Sequence, residues 1–339
     1  MSQLDSKSLS LINKICKGKK HIKLTIGFIA NDEKVIKVFD KTGEIENKNY
    51  IYEVGSITKT FTASLMAKYI LDEKMALSDS IEKYIDGLDN GRYYPNLKRL
   101  ATHTSGYSYR MPLTIFEVLK MGFNIIFGVN QDVNPLYLDF EKLKENILKN
   151  KLKDKDYKWN YSNFAYAVLG YTLSVVSGNS YDNTMDEFIS KELGLVNTYI
   201  GTDNNRNLHG FNRKNKDSRN WSWENNLGSP AGAISSTADD LLKYAMFNIA
   251  EKDPYLSFCH QKQASISKKY DMGLGWWLYK NNHNIIFHRG TTGCFSSFLI
   301  LDKSKKIAVI ILSNYKLDSV SIHRLGSSIL ENLQINKLD

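Results

Sequence analysis

Strand-patterned segments stand near both ends of the chain, and this feature restricts its possible folds more than any other. Ile22–Ile29 and Lys34–Phe39 are strand candidates, and Asn31-Asp32 between them reads as a tight hairpin turn. Toward the other end, Asn284–Phe287, Phe295–Leu301 and Ile307–Leu312 read as three more strands, and Ser319–Leu333 as a closing helix. Both ends are therefore expected to contribute to one antiparallel sheet. Leu4, Leu11, Ile12 and Ile15 fit an amphipathic first helix, while the middle, from about Ser56 to Ala250, reads as predominantly helical. The expected class is α/β, of the α+β kind: an antiparallel sheet built from both chain ends, flanked by helices, with an inserted mainly helical lobe. Residues 1–55 and 251–339 would form the sheet lobe, and residues 56–250 the helical lobe, of one domain. With 339 residues, 42% of them hydrophobic, the chain is ample for a large core shared by two lobes.

One short motif in this frame carries chemistry. In Tyr52-Glu53-Val54-Gly55-Ser56-Ile57-Thr58-Lys59, a serine and a lysine are three residues apart. If Ser56 opens a helix, Lys59 lies on the same face, where residues so spaced have Cβ atoms about 5–6 Å apart. A serine hydroxyl is a weak nucleophile until a base takes its proton, and a lysine of lowered pKa can do so. The spacing alone is common: Ser80-Ile81-Glu82-Lys83 and Ser265-Ile266-Ser267-Lys268 share it and read as surface residues. Ser56 differs in its setting, where a β-rich run gives way to Phe61, Leu65, Met66, Tyr69 and Ile70 at helical spacing. The alternative is that Ser56 merely caps that helix.

Two further groups extend the pattern. Tyr161-Ser162-Asn163 precedes an apolar helix, Phe164 to Val176, and His288-Arg289-Gly290-Thr291 falls between strand-like segments. The order Ser-x-x-Lys, Tyr-x-Asn, then basic residue-x-Gly resembles the penicillin-recognising, β-lactamase-related serine hydrolases, which include class C β-lactamases, D-alanyl-D-alanine peptidases and esterases. Leu97–Gly106, Ser229–Thr237 and Met272–Trp276 also look like the family's "LLTHTSG", "PAGG" and "GLGW" segments, so the likeness covers most of the chain. Two decoys fall out of order: Lys41-Thr42-Gly43 precedes Ser56 and reads as a hairpin, and Tyr279-Lys280-Asn281 sits in a polar turn.

The resemblance implies one β-lactamase-like catalytic domain over 1–339, with its site between the lobes. Ser56 would attack a carbonyl, Lys59 and Tyr161 would handle protons as a coupled pair, and Asn163 would hold Lys59 and a substrate amide. The backbone N–H groups of Ser56 and Thr291 would form the oxyanion hole, with Gly290 allowing close approach. His288 stands where β-lactamases carry lysine. An imidazole is only partly charged at neutral pH, so carboxylate grip is weakened and efficient β-lactam hydrolysis is not expected; the alternative makes His288 a plain strand residue. The expected function is an acyl-enzyme hydrolase of an ester or a D-amino-acid-containing amide. A D-alanyl-D-alanine carboxypeptidase, a class C-type β-lactamase, or a non-catalytic β-lactam sensor or scaffold remain alternatives.

Charge and composition narrow the partners. The 45 Lys and Arg against 36 Asp and Glu give a net charge of +9, but basic residues alternate with acidic ones, as in Glu141 to Lys155. A solvated surface is expected, not a nucleic-acid patch. The partner is a small-molecule or peptide substrate, with no cofactor and no metal. Cys16, Cys259 and Cys294 suggest no disulfide framework. No run is long enough for a membrane span, and Met1 to Lys20 lacks a secretory apolar core, so a cytoplasmic location is expected. Ile115, Phe116, Leu119, Phe123, Ile126 and Phe127 would share one helix face; Met111 to Tyr137 is either a core helix or an apolar lid.

Overall fold

The computed structural model of the protein describes residues 4–108, 119, 134–212, 214–218 and 220–335. Among these, nine strands form an antiparallel sheet. Their spatial order is Gly43–Ile45, Glu33–Asp40, Leu24–Ala30, Ile307–Ser313, Ser296–Asp302, Asn282–Thr291, Trp277–Tyr279, Tyr270–Met272 and Ala264–Ser265. The two chain ends meet inside this sheet, where Leu24–Ala30 pairs with Ile307–Ser313 from Leu24↔Ser313 to Ile29↔Ala308. Asn31 and Asp32 form the expected hairpin turn, with φ of 52° and 60°. Positive φ at both central residues matches the right-handed twist of the strands they join, and Asn and Asp tolerate it well.

The central strands Leu24–Ala30, Ser296–Asp302 and Ile307–Ser313 are buried along their whole length because both sheet faces are covered. On one face Leu24, Ile26, Phe28, Phe298, Val309 and Ile311 pack with Ile12 of the helix Ser6–Cys16 and Leu325 and Ile329 of the helix Ser319–Ile335. On the other, Leu299, Leu301, Ile310 and Leu312 join a larger core with the helices Thr58–Leu71, Asn163–Ser177 and Ala238–Ala250. Each fully buried side chain of this size contributes roughly 1.5–3 kcal/mol. The middle of the chain also holds a small sheet of Ile51–Glu53, Ile234–Thr237 and Tyr199–Ile200. Thr58–Leu71 is buried continuously from Thr58 to Ala67, as a helix enclosed on every side must be.

Two local expectations need correction. Ser56 does not open the α-helix: it lies in a 3-10 turn, Gly55–Ile57, and the α-helix begins at Thr58 with no side-chain cap. His288 to Thr291 do not follow a strand; they are its last residues, paired with Leu299 to Ser296. The expected helix or lid at Met111–Tyr137 lies outside the described residues except for residues 119 and 134–137. Cys16, Cys259 and Cys294 are all buried free thiols. No helix among the described residues is long and apolar enough to cross a membrane.

Candidate active site

The 3-10 turn continues into the buried helix without a break in handedness, so Ser56 and Lys59 remain one turn apart. Lys59 Nζ lies 3.1 Å from Ser56 Oγ. It also donates to Asn163 Oδ1 at 2.8 Å and to the Ala231 carbonyl at 2.6 Å. Lys59 is fully buried whereas Ser56 is half-buried, so the amine is shielded while the hydroxyl can be reached. Burial holds the amine well below the ordinary lysine range. The bonding pattern suits that neutral form. A neutral amine has two N–H groups and one lone pair; two acceptor oxygens take the N–H groups, and the lone pair is left for the Ser56 hydroxyl to donate to.

Asn163 reaches Lys59 because it is the first residue of a well-capped helix. Ser162 is the N-cap, its Oγ accepting from the Ala165 N–H at 3.0 Å and donating to the Ser108 carbonyl at 2.8 Å. Such a cap is worth about 1 kcal/mol. The Asn163 amide is thus free of capping duty. Tyr161, one residue before the cap, brings its ring centroid to 4.9 Å from Lys59 Nζ. His103 packs against that ring at a tilt of 35° with centroids 4.4 Å apart, and its Nδ1 accepts from the Ser162 N–H at 3.1 Å. Burial, with Lys59 and His288 nearby, pushes the His103 imidazole well below its usual value, so it is a neutral support.

The third wall is made by the end of the strand Asn282–Thr291. A Cβ added at Gly290 would lie 1.9 Å from the Val54 carbonyl oxygen and 2.8 Å from Ser56 N. One added at Gly55, whose φ is +53°, would lie 2.7 Å from Thr291 N. Two backbones pass each other here with no room for side chains, which brings the Ser56 and Thr291 amides to the same wall. Ser297 Oγ donates to the Val54 carbonyl at 2.6 Å and ties the strands together. His288, two residues before Gly290 and on the same strand face, is fully buried. Its Nδ1–H donates to the Arg289 carbonyl at 2.9 Å, which leaves Nε2 as an unpartnered acceptor. Burial first, then Lys59 and Arg289, push the imidazole down to about 3. The expected partial charge at neutral pH is therefore replaced by a neutral ring. Among the described residues no group of three or more His, Cys, Asp or Glu could hold a metal ion.

The beta-lactamase family profile matches residues 28–325 of the chain. The chain belongs to the beta-lactamase family. It is 24% identical over 280 residues to protein flp of Staphylococcus aureus (strain MRSA252), covering 78% of this chain and 52% of that protein. It is 28% identical over 204 residues to a beta-lactamase of Providencia stuartii, covering 59% and 47%. The chain thus spans about half the length of these curated relatives. A class C beta-lactamase structure from Rhodobacter sphaeroides superposes with TM-score 0.79 at 17% identity, covering 99% of this chain and 100% of that one. The beta-lactamase/D-alanine carboxypeptidase of Pseudomonas syringae gives 0.78 at 18%, covering 96% and 97%. At such identities the likeness is one of fold.

In this beta-lactamase-family chain, Ser56, Lys59, Tyr161, Asn163, Gly290 and Thr291 come from three separate segments and meet around Lys59 and the Ser56 backbone; His288 lies on the same strand face as Gly290. The decoys do not. Lys83 pairs with Asp79, Ser265 bonds Asp271, Lys41 and Thr42 turn a hairpin, and Lys280 and Asn281 turn another. Sequence reasoning missed the Ala231 carbonyl, because a backbone acceptor leaves no mark in residue identity. It also missed His103 as the support of Tyr161. Two signals were present: Ala231 lies in the family-like segment Ser229–Thr237, and His103 in Leu97–Gly106.

Proposed function

We infer that this chain is a serine hydrolase working through an acyl-enzyme, acting on an ester or a D-amino-acid-containing amide, with β-lactam hydrolysis weak or incidental. The observation that carries this reading is the fully buried Lys59 amine, spanned by two acceptors and 3.1 Å from Ser56 Oγ. Ser56 Oγ attacks the substrate carbonyl carbon as its proton passes to Lys59 Nζ. The oxyanion is received by the N–H groups of Ser56 and Thr291. Tyr161 gives a proton to the leaving group as the C–O or C–N bond breaks and is reprotonated by Lys59; water then attacks the acyl carbon, losing a proton to the same pair, which returns it to Ser56 Oγ as the ester bond breaks. Asn163 keeps Lys59 in place and offers its amide to the substrate.

The neutral His288 favours substrates without a carboxylate beside the scissile bond. A buried imidazole near 3 supplies no positive charge to a β-lactam or a peptide C-terminus. A second reading, D-alanyl carboxypeptidase, draws support from the fold shared with the carboxypeptidase of Pseudomonas syringae. Intact-mass analysis after parallel exposure to a short-chain activated ester, a cephalosporin and a D-Ala-D-Ala peptide separates them. Rapid ester turnover is expected, and preferential peptide cleavage would shift the assignment to a carboxypeptidase. A stable cephalosporin adduct without turnover of any substrate would point to a sensor. Ser56→Ala should abolish turnover and labelling, whereas Ser80→Ala and Ser265→Ala should affect neither; an active Ser56→Ala protein would end the proposal.

A further inference from the structure

Glu53 is a buried carboxyl that the chemistry above does not use. It ends the strand Ile51–Glu53, two residues before Gly55, and is 2% exposed. Its Oε1 accepts from the Trp221 N–H at 3.1 Å and from the Thr202 hydroxyl at 3.4 Å. Its Oε2 is enclosed without a hydrogen-bond partner, and so is Thr292 Oγ1. The Thr292 hydroxyl faces the carboxyl closely enough to temper its titration, short of hydrogen-bond geometry. Trp221 is held on its other side by the same turn: a Cβ at Gly293 would lie 2.7 Å from the indole Nε1. A closed ring of contacts results. Glu53 binds Trp221, Trp221 covers Gly293, and Thr291, two residues earlier, abuts Gly55 beside Ser56.

We propose that Glu53 is a positioning residue for the oxyanion wall: as a carboxylic acid it clasps the strand before Ser56 to residues 291–293, and its ionisation loosens that clasp. Among the described residues, the groups that contact it are neutral. Thr202 and Trp221 come from one segment and Thr292 from another, and the titratable neighbour that senses it is Cys294, whose thiol burial holds up. Among the described residues no cation pairs with the carboxyl. Burial accordingly raises it to about 7. In the acid form the carboxyl calls for no water, and Trp221, held on Oε1, stays packed over Gly293. A bare carboxylate in that place calls for water, and making room for it parts Glu53 from the 291–293 turn packed beside it. The clasp is a matter of packing, but its effect on rate rests on the serine acyl-transfer reading above.

Two readouts separate the clasp from that reading. Infrared difference spectra between pH 5 and pH 9 should show a protonated-carboxyl stretch lost with a midpoint near pH 7, absent in Glu53→Gln. In Thr292→Val, which lacks the tempering hydroxyl, the midpoint should rise. The second readout is the labelling rate of Ser56 by a fluorophosphonate. The ratio of native protein to Glu53→Gln should fall about tenfold from pH 6 to pH 8, following the acid fraction. A flat ratio, or no carboxyl signal at pH 5, overturns the proposal. If no protein labels at any pH, the serine reading fails and the infrared midpoint decides alone; one unmoved in Thr292→Val overturns the clasp. The Thr292 variant also serves if Glu53→Gln does not fold.

Discussion

Gly290→Ala is the sharpest test of the two-backbone wall. The added methyl would sit 1.9 Å from the Val54 carbonyl oxygen, 2.5 Å from Ser297 Oγ and 2.8 Å from Ser56 N. Carbon–oxygen contacts settle at roughly 3.3–3.6 Å, so the strand must retreat by more than about 1 Å. The Ser297 hydroxyl can turn aside, but the Val54 oxygen and Ser56 nitrogen belong to the backbone and cannot. A shift of that size costs on the order of 10² in rate, and losing an oxyanion donor costs ~10²–10³. Both describe the same displacement and do not multiply, so acylation should slow about 10²–10³-fold. Overpacking should add roughly 1–3 kcal/mol of destabilisation, which thermal melting will register in a protein that still folds. The assay is pre-steady-state acylation by an activated ester, with Ser297→Ala beside it. That control removes the 2.6 Å bond to Val54 but leaves the backbones in place; its cost of about 1 kcal/mol should keep the rate within about tenfold. If Gly290→Ala acylates within about threefold of the native protein, the close approach has no part in catalysis.

Asn163→Asp puts a carboxylate 2.8 Å from Lys59 Nζ and favours the ammonium form. The acylation pH profile should move upward by roughly 1–3 units, and an unmoved profile would remove Lys59 as the base. For His288, the folded value of about 3 lies below the ordinary 6.5, so its contribution to stability is full above pH 6.5 and is lost as pH falls toward 3. The loss amounts to about 5 kcal/mol at the acid end. Imidazole NMR signals should stay flat between pH 5 and pH 8, and a ring titrating near pH 6–7 would refute the neutral assignment. Ser162→Ala should lower stability by about 1 kcal/mol through the lost cap at Ala165; denaturant melts would measure it, and an unchanged midpoint would discount the cap.

The sheet was legible because its signals are local and repeated. Asn31-Asp32 states a turn, and the runs on either side state strands, without reference to the rest of the chain. The meeting of Ser56 with Lys59 was legible for the same reason, since three residues along a helical turn fix a distance. Their convergence with Tyr161, Asn163 and His288 spans up to 232 positions and was readable only through likeness to a family. Charge state was beyond either route. His288 is neutral because the strand carrying it is enclosed, and enclosure is a property of the folded molecule. The Ala231 carbonyl was hidden more completely, since any residue would supply the same oxygen.

The strand Leu24–Ala30 takes one of its two neighbours, Ile307–Ser313, from a segment far later in the sequence. A ribosome therefore releases the first strands long before their partner exists, and the sheet can close only after Ile307–Ser313 has emerged. On the proposed chemistry, the same delay governs reactivity. The hydroxyl at position 56 is synthesised early, but the carbonyl that fixes its amine neighbour and the glycine wall beside it arrive much later. An emerging chain thus carries this alcohol without the neighbours that surround it in the fold.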